Sequence, residues 1–458
     1  MNKEFYNEPT RLTPVSGEAD VVVLGGGPAG IGAAIAAARQ GASVILVEKN
    51  GYMGGACTAG QVGIWHTLSS LDGKKIIGGV VDDMLLGMTR RNAIYQLTDR
   101  GDVVLDTEVL KIVLDDLALS AGVRLLYHTY VTGVISENPG HIQAVIVENK
   151  SGRSAVKGRV FIDCTGDGDL AWHAGARFEK GNNDGQMQSP GLCMHIANLN
   201  NSKEDGPTIQ DALDSEPMDY NGKPYPAYLW TVPDVTMRKT GIMLAAARIT
   251  GTDCTDAESL SNAEVEGRRQ IDWVLRTLTK QVPSFKNAGI SSIAAEVGVR
   301  ETRRFLGKYM LTAEDLLSGK SFPDTVGRGT YPIDIHSPSG RGISFKCLDG
   351  TLIEHNENGN VTRGMWTKDG KKNPVQYYQI PYRVLLPSSM QNVMVAGRCI
   401  SVTHEALGAT RVMVNCMQLG QAAGVGAALA SSQGICPADV SIKELQDRLV
   451  SLGMPSGW

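Results

Sequence analysis

The sequence predicts an α/β chain: a Rossmann-like domain assembled from both chain ends, with an α+β domain inserted between them. Three observations predict it. The first is an apolar run that ends in a glycine turn, "VVVLGGGPAG" at 21–30. The second is the small-residue stretch directly after it, "IGAAIAAAR" at 31–39, which leads to another apolar run at 43–47. Together they make a βαβ unit of about thirty residues, the size of a dinucleotide-binding module. The third is that this style returns only near the C-terminus, as "NVMVAGRCI" at 392–400 and "MQLGQAAGVGAALA" at 417–430. The expected divisions are a polar lead-in over 1–18, the first part of the nucleotide-binding domain over 19–192, an inserted substrate domain over 193–380, and the returning part over 381–458.

Each element has its own warrant. Asp20–Leu24 reads as a buried strand, Ile31–Arg39 as a helix stopped at Gly41, and Ser43–Val47 as a second strand. Residues 51–80 are glycine-rich, and helical periodicity comes next at Val80–Arg91 and Thr107–Ala121. "VRLLYHTYVTGVI" and "IQAVIVENKSG" read as neighbouring strands with a turn at Asn138, Pro139 and Gly140. "GRVFIDCTGDGDLAWHAG" reads as a strand, a turn and a helix start. Helices are expected at Ala263–Gln281 and Ala313–Leu317, and another from near Arg411 after an irregular loop.

The bulk numbers narrow the function. Hydrophobic residues make up 42% of the 458, enough for a large core. The formal net charge of -4 gives no support for nucleic-acid binding, which usually shows a basic excess. No apolar run reaches membrane-spanning length and the N-terminus lacks a signal-like stretch, so the expectation is a cytoplasmic protein. The eight cysteines form no C-x-x-C pair, which argues against a zinc ribbon, an iron–sulfur cluster or a redox disulfide and favours free thiols. The histidines show no metal-ligand spacing, and no metal is expected.

Gly25, Gly27 and Gly30 stand in G-x-G-x-x-G register, with Pro28 and Ala29 between them. Such glycines permit the tight turn, close approach of a pyrophosphate, and close helix–strand packing; the helix N-terminus then offers free N–H groups. Glu48 ends the second strand, where a carboxylate accepts both ribose hydroxyls of an adenosine; an acid rather than Arg here disfavours a 2′-phosphate. A βαβ unit without a ligand is the plainer reading. Strand, glycines, helix, second strand and acidic end in that order weigh against it.

Four blocks carry a family resemblance: "VVVLGGGPAGIGAAIAAARQGASVILVEKNGYMGGACTAG" at 21–60, "VFIDCTGDGDLA" at 160–171, "GVRETRRFLGKYMLTAEDL" at 298–316, and "NVMVAGRCISVTHEALGATRVMVNCMQLGQAAG" at 392–424. In these the chain resembles FAD-dependent oxidoreductases with a glutathione-reductase-like FAD-binding fold and a single Rossmann fingerprint. The resemblance implies FAD. It places Glu48 and Lys49 at the adenosine, and Gly54, Gly55, Ala56, Cys57 and Thr58 along the ribityl chain and isoalloxazine, with Cys57 as a packing residue. It sets Val131 beside the adenine, and Thr165, Gly166 and Asp167 beside the diphosphate and ribose. Gly397 and Arg398 stand where many relatives have Gly-Asp, a departure that turns attention from an Asp–ribityl contact to Arg398 and the diphosphate. The helix near Arg411, Val412 and Asn415 would point its N-terminus at flavin N1 and the C2 carbonyl, where reduced flavin carries charge. Gly420, Gly424 and Gly426 would keep that helix close to the sheet.

The catalytic candidates lie in the third and fourth blocks and in the inserted domain. His404 suits proton transfer near neutral pH, with Glu405 to orient it or Arg411. "RETRR" would put Arg300 and Arg304 one helical turn apart with Arg303 beside them, able to grip a carboxylate, although a solvated face is the commoner reading of such a run. Tyr331, Asp334, His336, Tyr377, Tyr378, Tyr382 and His66 are further cleft candidates. The expected function is a dehydrogenase or reductase moving a hydride between flavin N5 and a small polar substrate, such as a carboxylate or a sugar derivative. A flavin monooxygenase is the alternative; an RNA-modification flavoprotein and a non-catalytic FAD scaffold rank below. The electron partner and any homo-oligomer are left open by the sequence.

Overall fold

The computed structural model describes residues 6–98, 101–200, 208–215, 229–237, 240–356, 360–367 and 374–457. A seven-stranded sheet organises it. Its strands are β1 (Val15–Leu24), β2 (Val44–Val47), β3 (Arg124–Leu126), β4 (Tyr130–Ile135), β5 (Ala144–Asn149), β6 (Gly152–Asp163) and β7 (Val393–Val395). The order is β3-β2-β1-β6-β5-β4, and β7 pairs with β6 beyond β5. β3, β2, β1, the second half of β6, and β7 are parallel; β4 and β5 run as an antiparallel meander into β6. Val21 to Leu24 and Val44 to Val47 are buried on both faces, which is why they read as unbroken apolar runs.

β1 begins at Val15, so the sheet takes in the end of the polar lead-in; residues 1–5 of that segment lie outside the described residues. The segment looked off-sheet because Val15 to Glu18 extends past the buried layer, paired to β6 but largely exposed. Helix α1 (Pro28–Arg39) follows β1. Two more helices follow β7: α2 (His404–Thr410) and α3 (Met413–Gln433). The stretch expected to be an irregular loop is therefore helical. Thr403 caps α2, its hydroxyl accepting from the Ala406 N–H at 3.3 Å.

α1 and α3 pack with their backbones almost in contact. A Cβ on Gly420 would lie 1.9 Å from the Ala29 carbonyl oxygen, and one on Gly424 would lie 2.2 Å from that of Ala33. Glycine is required at both because helix meets helix there, whereas the expectation was approach to the sheet. The register, 29 with 420 and 33 with 424, makes the two helices parallel. Their N-termini share one edge, and α3 starts about six residues earlier, ~9 Å further out.

Among the described residues there are four buried hydrophobic clusters, and the two largest make up most of the core. The larger joins α1, α3 and the sheet to Phe305, Leu311, Leu316, Val326, Ile333 and Tyr378. The smaller gathers Leu192 to Ile196, Met243 to Ala247, and Ile271 to Leu278, together with Ile64 and Val104. It lies under a four-stranded antiparallel sheet and the long helix Ala257–Gln281. Among the described residues no single helix is long and apolar enough to cross a membrane; the bent pair α2–α3 passes by composition, but lies mostly buried inside the protein.

Candidate functional site

The expected cofactor residues gather at the carboxyl ends of β1, β2, β6 and β7, where open α/β sheets hold ligands. Gly25 follows β1 with φ +95°, and a Cβ on Gly30 would lie 1.8 Å from the Gly25 carbonyl oxygen. Pro28 opens α1, Gly27 is its N-cap, and no side chain caps it, so its first N–H groups are left to a ligand. Glu48 is buried and accepts the N–H groups of Gly26 at 2.6 Å and Asn50 at 2.8 Å. Burial pushes its carboxyl above the usual range, against those two donors. Lys49 pairs with Glu296 at 3.0 Å. Thr129 donates its N–H to the Glu48 carbonyl at 3.0 Å, which brings the start of β4, with Val131, to the same end.

The loop after Glu48 folds back on the first turn. The Gly54 N–H donates to the Gly26 carbonyl at 2.8 Å, and Gly55 to Cys57 make one 3-10 turn, with Ala56 at its centre. The Cys57 thiol is fully buried, donates to the Gly54 carbonyl at 2.9 Å, and is pushed up to about 12 by burial. It is a neutral packing group. Thr58 donates its hydroxyl to the Met53 carbonyl at 2.8 Å.

At the end of β6 the organising group is Asp163, which sequence reading passed over as part of the strand. Its carboxylate accepts the Thr165 hydroxyl at 2.7 Å and the Ala171 N–H at 2.8 Å, and burial pushes it up to about 6. It shapes the turn that carries Gly166 and Asp167. Arg398, next to Gly397, is turned onto the Asp167 carboxylate at 2.9 Å and the Thr302 hydroxyl at 3.4 Å. Val412 is the N-cap of α3, again with no side-chain cap. Asn415 points inward and donates to the Tyr378 hydroxyl at 2.8 Å and the Ala409 carbonyl at 3.2 Å.

His404 is the first residue of α2 and buried. Its Nδ1 lies 3.0 and 2.8 Å from the two oxygens of Glu301, whose side chain is closed to solvent. Glu405 is exposed, so the orienting carboxylate comes from Glu301 instead; on a helix, neighbouring residues face different sides. Glu301 also accepts from Arg304 Nε at 3.1 Å and from the Gln188 N–H at 3.0 Å.

The arginine run is not helical, and its three members diverge. Arg303–Phe305 is a strand paired with Phe178–Lys180, so successive side chains alternate. Arg303 reaches Asp169 at 2.9 Å, and Arg304 goes to Glu301. Arg300 alone joins a second cluster. There Arg411 Nη2 donates to Asp334 at 3.0 Å, His336 Nε2 lies 3.2 Å from the other Asp334 oxygen, and Arg248 Nη2 donates to His336 Nδ1 at 2.8 Å. That donor fixes the neutral tautomer of His336, which burial and the facing arginines push down to about 3. Asp334 is held ionised by its neighbours, far below the usual carboxylate range, and Tyr331 donates to it at 3.3 Å. His66 stacks near Tyr331 at 5.7 Å. Tyr378 and Tyr382 are core struts rather than cleft walls, donating to the carbonyls of Ala409 and Pro437. Tyr377 is half-buried beneath the Arg328 guanidinium.

Nothing in the sequence marks Arg248 or Gln188, or marks Glu301 as the partner of His404. All three act across large sequence separations, and no local pattern signals them.

FAD fits these residues. Two uncapped helix N-termini stand parallel at one edge, the inner one at a glycine turn suited to a diphosphate, with a buried carboxylate ending the next strand. Those helix ends and backbone N–H groups would hold the diphosphate and the flavin pyrimidine edge, and Glu48 the ribose.

Known proteins resemble the chain to differing extents. A thiamine thiazole synthase of Sulfolobus acidocaldarius is 27% identical over 158 residues, 32% of this chain and 56% of that one. The mitochondrial dihydrolipoyl dehydrogenase of Caenorhabditis elegans is 44% identical over 55 residues, 12% of this chain and 11% of that one. The chain thus spans about half the length of the synthase it matches. Among solved structures, a geranylgeranyl bacteriochlorophyll reductase-like protein from Thermoplasma acidophilum aligns at TM-score 0.46 and 14% identity, covering 95% of this chain and 83% of that one. A myxobacterial chondrochloren halogenase aligns at 0.45 and 13%, covering 94% and 78%. The family model described as FAD dependent oxidoreductase matches residues 20–449. On that match, and on the fold and glycine cradle beneath it, the chain belongs to the FAD dependent oxidoreductase family and is an enzyme that uses FAD.

Proposed function

We propose that this enzyme is a dehydrogenase or reductase that moves a hydride between a carbon of a small polar organic substrate and flavin N5, with His404 exchanging the accompanying proton. The observation that carries this is the His404–Glu301 pair. Glu301 holds Nδ1 with both oxygens, and Nε2 has no partner among the described residues. A histidine anchored at one nitrogen and free at the other is built to pass a proton at the free one. It stands at the head of α2, in the same α2–α3 corner as Arg411 and the uncapped start of α3.

In the oxidative direction the hydroxyl or amine proton of the substrate would pass to His404 Nε2 as the hydride leaves carbon, the hydride acceptor being the FAD that these residues would hold. FAD, when bound, supplies the two-electron centre at N5. The chain's residues orient the substrate, hold the proton and exclude water.

Anaerobic bleaching of the bound flavin across a panel of metabolites tests this reading. A substrate should bleach the wild type, and His404→Ala should slow that step by ~10²–10⁴-fold. An unchanged bleaching rate in the variant removes His404 from proton transfer, and a flavin that no compound bleaches without oxygen removes the dehydrogenase reading.

A further inference from the structure

Building on the oxidoreductase reading, we propose that Arg300, with Arg411 and Gln188 beside it, forms a subsite for the carboxylate of a small organic acid. Three guanidinium groups and one carboxylate, Asp334, meet around His336. Arg411 has Asp334 at 3.0 Å. Arg248 reaches the carbonyls of Gly340, Arg341 and Gly342 at 3.3, 2.6 and 3.0 Å, besides His336. Arg300 donates only to the Ser189 carbonyl, at 2.5 Å, and forms no ion pair among the described residues. It is enclosed close enough to Arg411 and Arg248 that burial and their charges hold it well below the ordinary arginine range. Asp334, already paired with Arg411, is the one carboxylate near it among the described residues, and a cation enclosed without an ion pair of its own is costly, a cost that a bound anion relieves.

Orphaned donors in the same cluster point the same way. Gln188 is 1% exposed, and its Nε2 has no acceptor among the described residues. The His336 N–H donates to its Oε1 at 3.4 Å, so the amide nitrogen is the free end. Arg411 Nε is likewise buried without a partner among the described residues. Gln188 adjoins the residue whose carbonyl holds Arg300, and its own N–H contacts Glu301. The subsite is therefore tied to the His404 anchor on one side and, through Arg411, to the start of α3 on the other.

The missing group must be anionic and present acceptor oxygens to several N–H donors. A carboxylate does both, and its planar pair of oxygens suits a guanidinium edge.

The test uses the FAD-loaded protein and needs no turnover. Propionate, succinate and glutarate are titrated against propionamide, succinamide and inorganic phosphate, reading the melting temperature and the flavin absorbance. At least one carboxylate should bind saturably and its amide should not. Arg300→Gln should weaken that binding ~30-fold or more, with partial recovery in Arg300→Lys. If Arg300→Gln fails to hold FAD, the carboxylate-against-amide comparison on the wild type still decides. Amides that bind equally, phosphate binding alone, no carboxylate binding below about 10 mM, or unchanged affinity in Arg300→Gln each overturn the subsite. Carboxylate binding with no bleaching by any compound would keep the subsite and remove the redox reading. Bleaching by neutral compounds with no carboxylate binding would do the reverse.

Discussion

Both carboxylate oxygens of Glu301 lie within 3.0 Å of Nδ1 of His404, across 103 residues of sequence, and the carboxylate is sealed from solvent. The same carboxylate ties down Arg304, which also donates to the carbonyls of Val402 and Gly181 at 2.7 and 2.6 Å. One acid thus holds the imidazole and, through Arg304, the loop before it. Glu301→Gln keeps the shape but removes the charge and offers the imidazole an amide that can present the wrong end. In Ser-His-Asp triads the loss of such an orienting charge costs up to about 10⁴ in rate. We expect substrate-dependent flavin reduction to fall by ~10–10³-fold, with FAD content retained. Rapid-reaction absorbance on the reconstituted variant measures this, and a wild-type rate would show that Glu301 is structural only.

The α1–α3 contact makes a sharper claim about stability. A methyl group at Gly420 would sit 1.9 Å from the Ala29 carbonyl oxygen, so one helix backbone must shift, and α1 carries the Gly25–Gly30 turn at its head. Gly420→Ala should cost ~3 kcal/mol or more and lower FAD occupancy together with it. Gly364, in an exposed strand with nothing within 4 Å of its added Cβ, serves as the control. Gly364→Ala should melt within about a degree of wild type. Equal melting temperatures for the two variants would mean the helices are not in backbone contact.

Local features were legible and distant pairings were not. The turn at Gly25, the acid at Glu48 and the small-residue face of α3 each rest on residues a few positions apart, where backbone conformation is dictated by neighbours. The reading of "RETRR" went wrong because five residues, four of them charged, carry no periodicity to tell strand from helix. The strand is set by its partner at Phe178–Lys180, more than a hundred residues away. Arg248 and Gln188 belong to the same class. Nothing adjacent marks them, and only the meeting of Ser189, Arg300 and His336 in space gives them a role. His404 was visible as a candidate, but its true partner was a whole sequence block away while Glu405 stood next to it.

The thiols separate by access. Cys57, Cys164, Cys193, Cys254, Cys399 and Cys416 are buried, and only Cys347 and Cys436 are partly open. Since the thiolate is the reactive form, burial both hides the six and holds them protonated. Iodoacetamide at pH 8 should label Cys347 and Cys436 first in the native protein, with the other six reacting only after unfolding. Peptide mass spectrometry reads this directly. Early labelling of Cys57 would mean that the loop after Glu48 opens in solution.

His336 gives the chain an acid-sensitive point with a definite sign. Buried between Arg248 and Asp334, its imidazole is pushed down to about 3 from an ordinary 6.5. Between those values the unfolded chain binds a proton that the folded chain refuses, so stability from this group is full above about 6.5 and is lost as pH falls toward 3. The slope is about 1.4 kcal/mol per pH unit. The groups facing it do not blur the window. Asp334 is held far below the carboxylate range by His336, Arg411 and Arg300 and stays ionised throughout. His336→Gln keeps a donor for Asp334 and an acceptor for Arg248 but cannot titrate. Urea unfolding at saturating FAD, at pH 7.0, 6.0 and 5.0, should show the wild type losing stability faster than the variant by ~2 kcal/mol across the range. Every other titrating group is common to both proteins and cancels in that difference. Parallel curves would mean that His336 is reached by water, and that the arginine cluster around it is open rather than enclosed.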